Sequence, residues 1–174
     1  REQSPALFDR RLACLHERLD EVDALLTVLA RRDPSATTRA AEAASQLTPP
    51  TRCDGEALLA ELEAPPPGDA AELARVLAQL RSAEALERAG LYAHGLQLAR
   101  FTEAQARRLG PGKAHAEALL RLGTLCGWTG DYAGAEAVLA EAATLAASRR
   151  YEDLAATAAV ELVFLLGYQR SRFA

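Results

Sequence analysis

The chain has no methionine, one tryptophan and only 5% aromatic residues, so its interior is not built on large rings. Runs of Val, Ile, Thr and aromatic residues alternating with polar ones are absent, which excludes a sheet as the main element. No apolar stretch approaches the roughly 18 residues that a bilayer span needs. The opening Arg1-Glu2 is not followed by an apolar core and cleavage site, so no signal peptide is legible. A net charge of −4 and a pI near 5.5 give no electrostatic footprint for nucleic acid or an anionic membrane. Three cysteines, Cys14, Cys53 and Cys126, are far apart and odd in number. They suit a reducing, cytoplasmic setting with each thiol a small buried or half-buried side chain.

Catalytic and cofactor signatures are also missing. There is no Gly-rich loop leading to a Val-Ala-x-Lys strand, no His-Arg-Asp loop and no Asp-Phe-Gly. Gly110-Pro111-Gly112-Lys113 resembles a phosphate loop only superficially, because the motif's first glycine falls at Arg107 and Ala114 holds the Ser/Thr position. It reads as a helix-to-helix turn. Cys14 and His16 point different ways on a helix, and no Cys-x-x-Cys or His-x-x-x-His suggests a metal. His94 and His115 lie next to turns and read as solvated. The segment is therefore expected to be non-enzymatic and to need no cofactor.

What is present is helix. Hydrophobic residues make up 49% of the chain, mostly Ala and Leu, alongside abundant Arg and Glu. Ser4-Pro5 starts a long helix, over about residues 5–32, as N-cap and first-turn proline. Along it Phe8, Leu12, Leu15, Leu19, Val22, Leu26 and Leu29 follow at alternating steps of four and three. This seam either packs on the chain's own neighbours or joins a second copy. Asp33-Pro34 stops the helix and caps another, over about 34–47, and a further short helix is predicted over about 54–63. Residues 64–68, Ala-Pro-Pro-Pro-Gly, are a stiff connector and the best candidate boundary.

Beyond the connector a period of about 40 residues appears. Gly90-Leu91-Tyr92-Ala93 returns as Gly130-Asp131-Tyr132-Ala133 and weakly as Ser171-Arg172-Phe173-Ala174. Ala106, Ala116, Ala118, Leu122, Leu125 and Gly127 match Ala146, Ala156, Ala158, Leu162, Leu165 and Gly167. Helices are predicted over about 69–89, 92–109, 113–129, 132–148 and 151–169, separated by short turns. The expected fold is all-α, with antiparallel helix pairs stacked as a solenoid after a long N-terminal helix and short helices. The units fall at about 69–110, 113–149 and 151–174, the last cut short. That break, and the missing methionine, read as a piece of a longer protein.

The second unit carries Leu119, Leu122-Gly123, Gly130-Asp131-Tyr132, Ala135, Leu139 and Ala142. It resembles the tetratricopeptide repeat, in which small residues sit where helices touch and a Gly-x-Tyr turn joins them. The first and third units are looser: Ala83 and Val163 stand in for the Gly, and the period exceeds the usual 34 or so. A second resemblance covers nearly the whole chain. Cys14-Leu15-His16-Glu17-Arg18-Leu19-Asp20-Glu21-Val22, Val28-Leu29-Ala30-Arg31, Thr48-Pro49-Pro50-Thr51-Arg52-Cys53 and Gly167-Tyr168-Gln169 are similar to a region of large bacterial serine/threonine protein kinases of the myxobacterial type. There it follows the kinase domain and leads into tetratricopeptide repeats. The resemblance implies an interaction segment of a signalling protein, with catalysis elsewhere in the parent. A repeat region of a large ATP-dependent transcriptional regulator is the alternative, as is self-association through Phe8–Leu29.

In tetratricopeptide arrays the first helix of each pair lines a concave groove that holds a peptide or protein partner. Carried onto this sequence, that face offers Arg81, Glu84 and Arg88, then Glu117, Arg121, Thr124 and Trp128, then Glu161, Phe164 and Tyr168. Trp128 is either an anchor for the partner or a plug between two pairs.

Overall fold

The computed structural model describes residues 5–54 and 70–169, apart from the side chains of Ala6, Tyr168 and Gln169. The Ser4 cap, the helix expected over 54–63, the Pro65–Pro67 connector and the turn expected at Ser171–Phe173 fall outside these residues. Eight α-helices occur among the described residues: α1 (Pro5–Leu29), α2 (Pro34–Thr38), α3 (Ala40–Ser45), α4 (Ala70–Arg88), α5 (Tyr92–Arg108), α6 (Lys113–Trp128), α7 (Tyr132–Ser148) and α8 (Glu152–Phe164). A short 3-10 turn covers Pro50–Asp54, and α8 runs on as a wider π-helical turn over Leu165–Gln169. Asp33 caps α2 as expected, its Oδ1 accepting from the Ser35 and Ala36 amides at 2.8 and 3.3 Å with Pro34 in the first turn. The helix expected over 34–47 is broken at Arg39 into α2 and α3.

From α4 onward each helix packs on the next, antiparallel, and the whole is an all-α stack of helix pairs. Three of the joining turns end in the same way. The amides of Leu91, Asp131 and Tyr151 reach back to the carbonyls of Leu86, Cys126 and Ala146 at 2.8, 3.0 and 3.0 Å. This closure needs a left-handed residue just past the helix. Gly130 supplies it with φ +89°, and Arg150 does so at φ +60° despite its Cβ. That substitution blurs the period at the start of the third unit.

Pairing is close because small residues occupy the contacts. Ala83, Ala99, Ala106, Ala118, Ala135, Ala142 and Ala146 are all buried. At Gly123 a Cβ would stand 2.6 Å from Leu139 Cγ and 3.2 Å from the Leu139 amide nitrogen, so α6 and α7 meet at a distance only glycine allows. The apolar interior is a chain of local clusters. One joins α1, α2, α3 and α4 through Leu25, Val28, Ala36, Ala43 and Leu86, and others join successive pairs farther along.

α1 lies parallel to α4: Asp20 meets Arg81 at 3.0 Å, Glu21 lies 3.9 Å from Arg88, and Val28 shares a cluster with Ala89. It therefore sits where the first helix of a preceding pair would, and α4 in turn packs on α6 and α6 on α8. α5 and α7 approach each other less closely, joined by the Arg107–Glu141 pair at 3.3 Å, so the first helices form the more closely packed side. The seam of α1 does not pack on its own neighbours. Phe8, Leu12, Leu15, Leu19, Val22 and Leu26 are 38–63% exposed, while Cys14, Glu21, Leu25 and Val28 are the buried positions. Only Leu29 of the seam joins the first cluster.

The cysteine reading also needs correction. Cys14 and Cys53 form a disulfide, with Cα atoms 5.7 Å apart, and only Cys126 is free and buried. The chain returns through Pro49-Pro50 and lays the 3-10 turn against α1, a proximity that spacing along the sequence does not reveal. The bond spans 39 positions, and closing a loop of that size stabilises by about 3–4 kcal/mol in the chain-entropy account. His115 is corrected too: it is buried, with Nε2 3.3 Å from Glu103 Oε1. Thiol titration of the denatured, unreduced protein should find one reactive cysteine and, after reduction, three. C14S should lower unfolding free energy by about 3 kcal/mol, and three thiols without reduction would contradict the bond.

Candidate partner-binding face

Of the residues carried onto the concave face, Arg81, Arg121 and Glu161 recur at intervals of 40, and the structure gives that register a physical meaning. All three face the preceding first helix. Arg81 on α4 reaches Asp20 on α1 at 3.0 Å. Arg121 on α6 reaches α4, binding Glu84 at 3.0 Å and also Glu87. Glu161 on α8 lies within the field of Arg121 and Glu87. Arg88 continues the line, 2.9 Å from Glu84 and 3.9 Å from Glu21, and Glu21 holds Arg18 at 3.0 Å. The result is an alternating ladder of charges running from α1 to α6 across the first helices.

These charges are half-buried, so each needs its counter-charge. Burial alone lowers the affinity of the Arg121 guanidinium for its proton, but Glu87 and Glu84 more than offset that and hold it above its ordinary value. Two carboxylates on the same face have no ion-pair partner among the described residues. Burial raises the Glu117 pKa, with help from Glu17 and Glu84, against the opposing pull of Lys113 and Arg121. Burial and Glu87 likewise raise Glu161, against Arg121.

Alongside the charges runs a row of rings, Tyr92 at the start of α5 with Trp128 and Phe164 at the ends of α6 and α8. Trp128 stacks on Tyr92 at 5.4 Å between centroids and 10° between planes, and Phe164 tilts against Trp128 at 6.2 Å. Arg39, from the junction of α2 and α3, closes the other end of the row. Its guanidinium lies 5.7 Å from the Tyr92 ring centre and donates to the Tyr92 hydroxyl at 2.8 Å. Trp128 bridges two pairs and yet remains 44% exposed. Its two expected roles are therefore compatible.

Beside Trp128 opens a shallow, solvent-open cleft with about 10 Å³ of enclosed space. Gly123 and Gly127 leave its wall free of side chains, while Thr124, Trp128, Glu161 and Phe164 supply the functional groups. Leu139 and Leu165 complete the lining. Thr124 spends its hydroxyl proton on the Leu120 carbonyl at 3.0 Å. Four of the expected residues thus converge on one pocket: Thr124, Trp128, Glu161 and Phe164. Glu84, Arg88 and Arg121 are instead joined to one another in the ladder, Arg81 is drawn to α1, Glu117 stands apart, and the Tyr168 side chain lies outside the described residues.

Four contributors escaped the sequence reading: Glu21, Glu87, Tyr92 and Arg39. Tyr92 was visible as the repeated turn tyrosine, but its stacking on Trp128 depends on the layer spacing. Among the described residues no group of three or more His, Cys, Asp or Glu could hold a metal, and no helix is long and apolar enough to cross a membrane. No family model, curated protein or solved structure matches the chain.

The Glu117 environment makes a pH prediction. Its folded pKa is raised, so the ionised form costs stability at neutral pH and the cost disappears as pH falls through the raised value. E117Q should therefore raise the unfolding free energy at pH 7 by about 0.5–1 kcal/mol. The gain should shrink to nothing below pH of about 4. Paired denaturant titrations at the two pH values measure it, and an equal gain at both would refute the assignment.

Proposed function

We propose that this segment is a non-catalytic protein-interaction scaffold of a bacterial signalling protein. The sequence resemblance assigns it to the tetratricopeptide-type region that follows the catalytic domain of a serine/threonine protein kinase. Its partner is a peptide or protein held on the face of the first helices. The observation that carries this reading is Trp128, the sole tryptophan, left 44% exposed over a pocket in the closely packed row of helices. Tryptophan is among the residues enriched as anchors of interfaces. The cytoplasmic placement argued from unpaired thiols loses that argument with the Cys14–Cys53 bond and now follows from the kinase resemblance alone.

A photo-crosslinking residue at Thr124 in the full-length protein should capture a protein partner in cells, and the same residue at Glu141 on α7, in the back row, should not. W128A, checked for retained helicity, should abolish the Thr124 crosslink. Equal crosslinking from both positions would sink the groove. The parental assignment has its own test: a kinase catalytic domain should be encoded within a few hundred residues upstream. A transcriptional regulator's ATP-binding module there would replace the kinase reading with its alternative.

A second reading is favoured by the exposed α1 seam, whose Leu12, Leu19 and Leu26 alternate with Phe8, Leu15 and Val22 as in a coiled coil. It assigns this face to a second copy of the chain. Sedimentation at tens of micromolar should then give a dimer that L19E converts to monomer; a monomeric parent protein removes the reading.

A further inference from the structure

We propose that the pocket between Trp128, Phe164 and Glu161 takes the cationic side chain of an arginine or lysine in a basic peptide segment of the partner. This rests on the scaffold reading and specifies the chemistry of its ligand. The face has positive residues, but they are spent. Arg18 is held by Glu17 and Glu21, Arg81 by Asp20, Arg88 by Glu84, and Arg121 by Glu84 and Glu87. The unspent charges are negative: among the described residues, Glu117 and Glu161 have no ion-pair partner. An anionic ligand, such as a chain-terminal carboxylate, would meet these carboxylates with no free guanidinium to receive it.

The pocket itself selects for a cation. Its wall offers two aromatic rings and one carboxylate, the combination that attracts an ammonium or guanidinium by ring quadrupole and by charge. An apolar side chain seated there would finish desolvating Glu161 and leave it without a counter-charge. The pocket's enclosed space is only about 10 Å³, far below the roughly 300–1,000 Å³ of small-molecule sites, so it admits no more than the tip of one side chain laid over the rings. The fold already uses this chemistry once: Arg39 closes the Tyr92 end of the same row of rings. The Trp128–Phe164 end has a carboxylate where the cation's partner belongs, and the cation is left for the ligand to bring.

Because Trp128 is the sole tryptophan, its emission reports directly on occupancy. The probes are two acetylated, amidated nonapeptides, identical except that three arginines in one are three glutamates in the other. At low salt the arginine peptide should change Trp128 emission saturably, and the glutamate peptide should not. E161Q, which removes only the charge, should weaken the arginine peptide at least tenfold with unchanged helicity and melting cooperativity. A D153N variant at the start of α8 serves as the control for net charge and should weaken it less than twofold. Equal binding of both peptides, absence of saturable binding by the arginine peptide, or equal loss in E161Q and D153N would overturn the proposal. If crosslinking from Thr124 still captures a protein while any of these occurs, the scaffold survives and only the cationic ligand is lost.

Discussion

Close approach of paired helices over alanine and glycine is the constraint on which everything else in this structure depends. With little side-chain volume at the contacts, α6 and α7 meet where Gly123 faces the Leu139 backbone, and the neighbouring pairs close over buried alanines. Short turns then suffice to reverse the chain, and the first helices come within reach of one another. That proximity turns isolated surface charges into a ladder and scattered rings into a row. A bulkier core would have held Arg121 away from Glu84 and Glu87, and Trp128 away from Tyr92.

The polar ladder is a poor source of net stability, since desolvation consumes much of what pairing returns. Its effect is on specificity of register. Arg121 satisfies two carboxylates on α4 at once, so a slip of α6 by one turn would leave like charges facing each other. The apolar clusters, made largely of Ala and Leu, tolerate such a slip far better. Charge thus aligns layers that small residues allow to approach.

The fold was legible because its two signals are local. Alanine-rich apolar periodicity places α4 to α8 within a few residues of where they lie, and Gly90, Gly110 and Gly130 mark turns by a backbone need that other residues rarely meet. The candidate site was legible in half. The tetratricopeptide resemblance put Thr124, Trp128, Glu161 and Phe164 on one face, and they do share a cleft. It could not say that Arg81, Arg88 and Arg121 would be consumed internally, because their acceptors Asp20, Glu21 and Glu87 sit at no repeated position. The Cys14–Cys53 bond and the burial of His115 against Glu103 were hidden for the same reason: each joins residues whose nearness exists only once layers are stacked. The exposed seam of α1 shows the converse, a pattern plain in sequence that the described residues leave uncovered.

Half-buried ion pairs tie adjacent layers along the first helices, whereas α5 and α7 are joined by the more exposed Arg107–Glu141 pair at 3.3 Å. The stack is therefore mechanically one-sided. Stretching its inner row means parting Arg121 from Glu84 and Glu87 where water is largely excluded; fanning its outer row costs the solvated Arg107–Glu141 pair. Flexing should follow the back of the stack, leaving the spacing of Trp128, Glu161 and Phe164 nearly constant while the overall curvature changes. A segment built this way acts as a leaf spring with a rigid gripping face, able to follow a curved partner without loosening its hold.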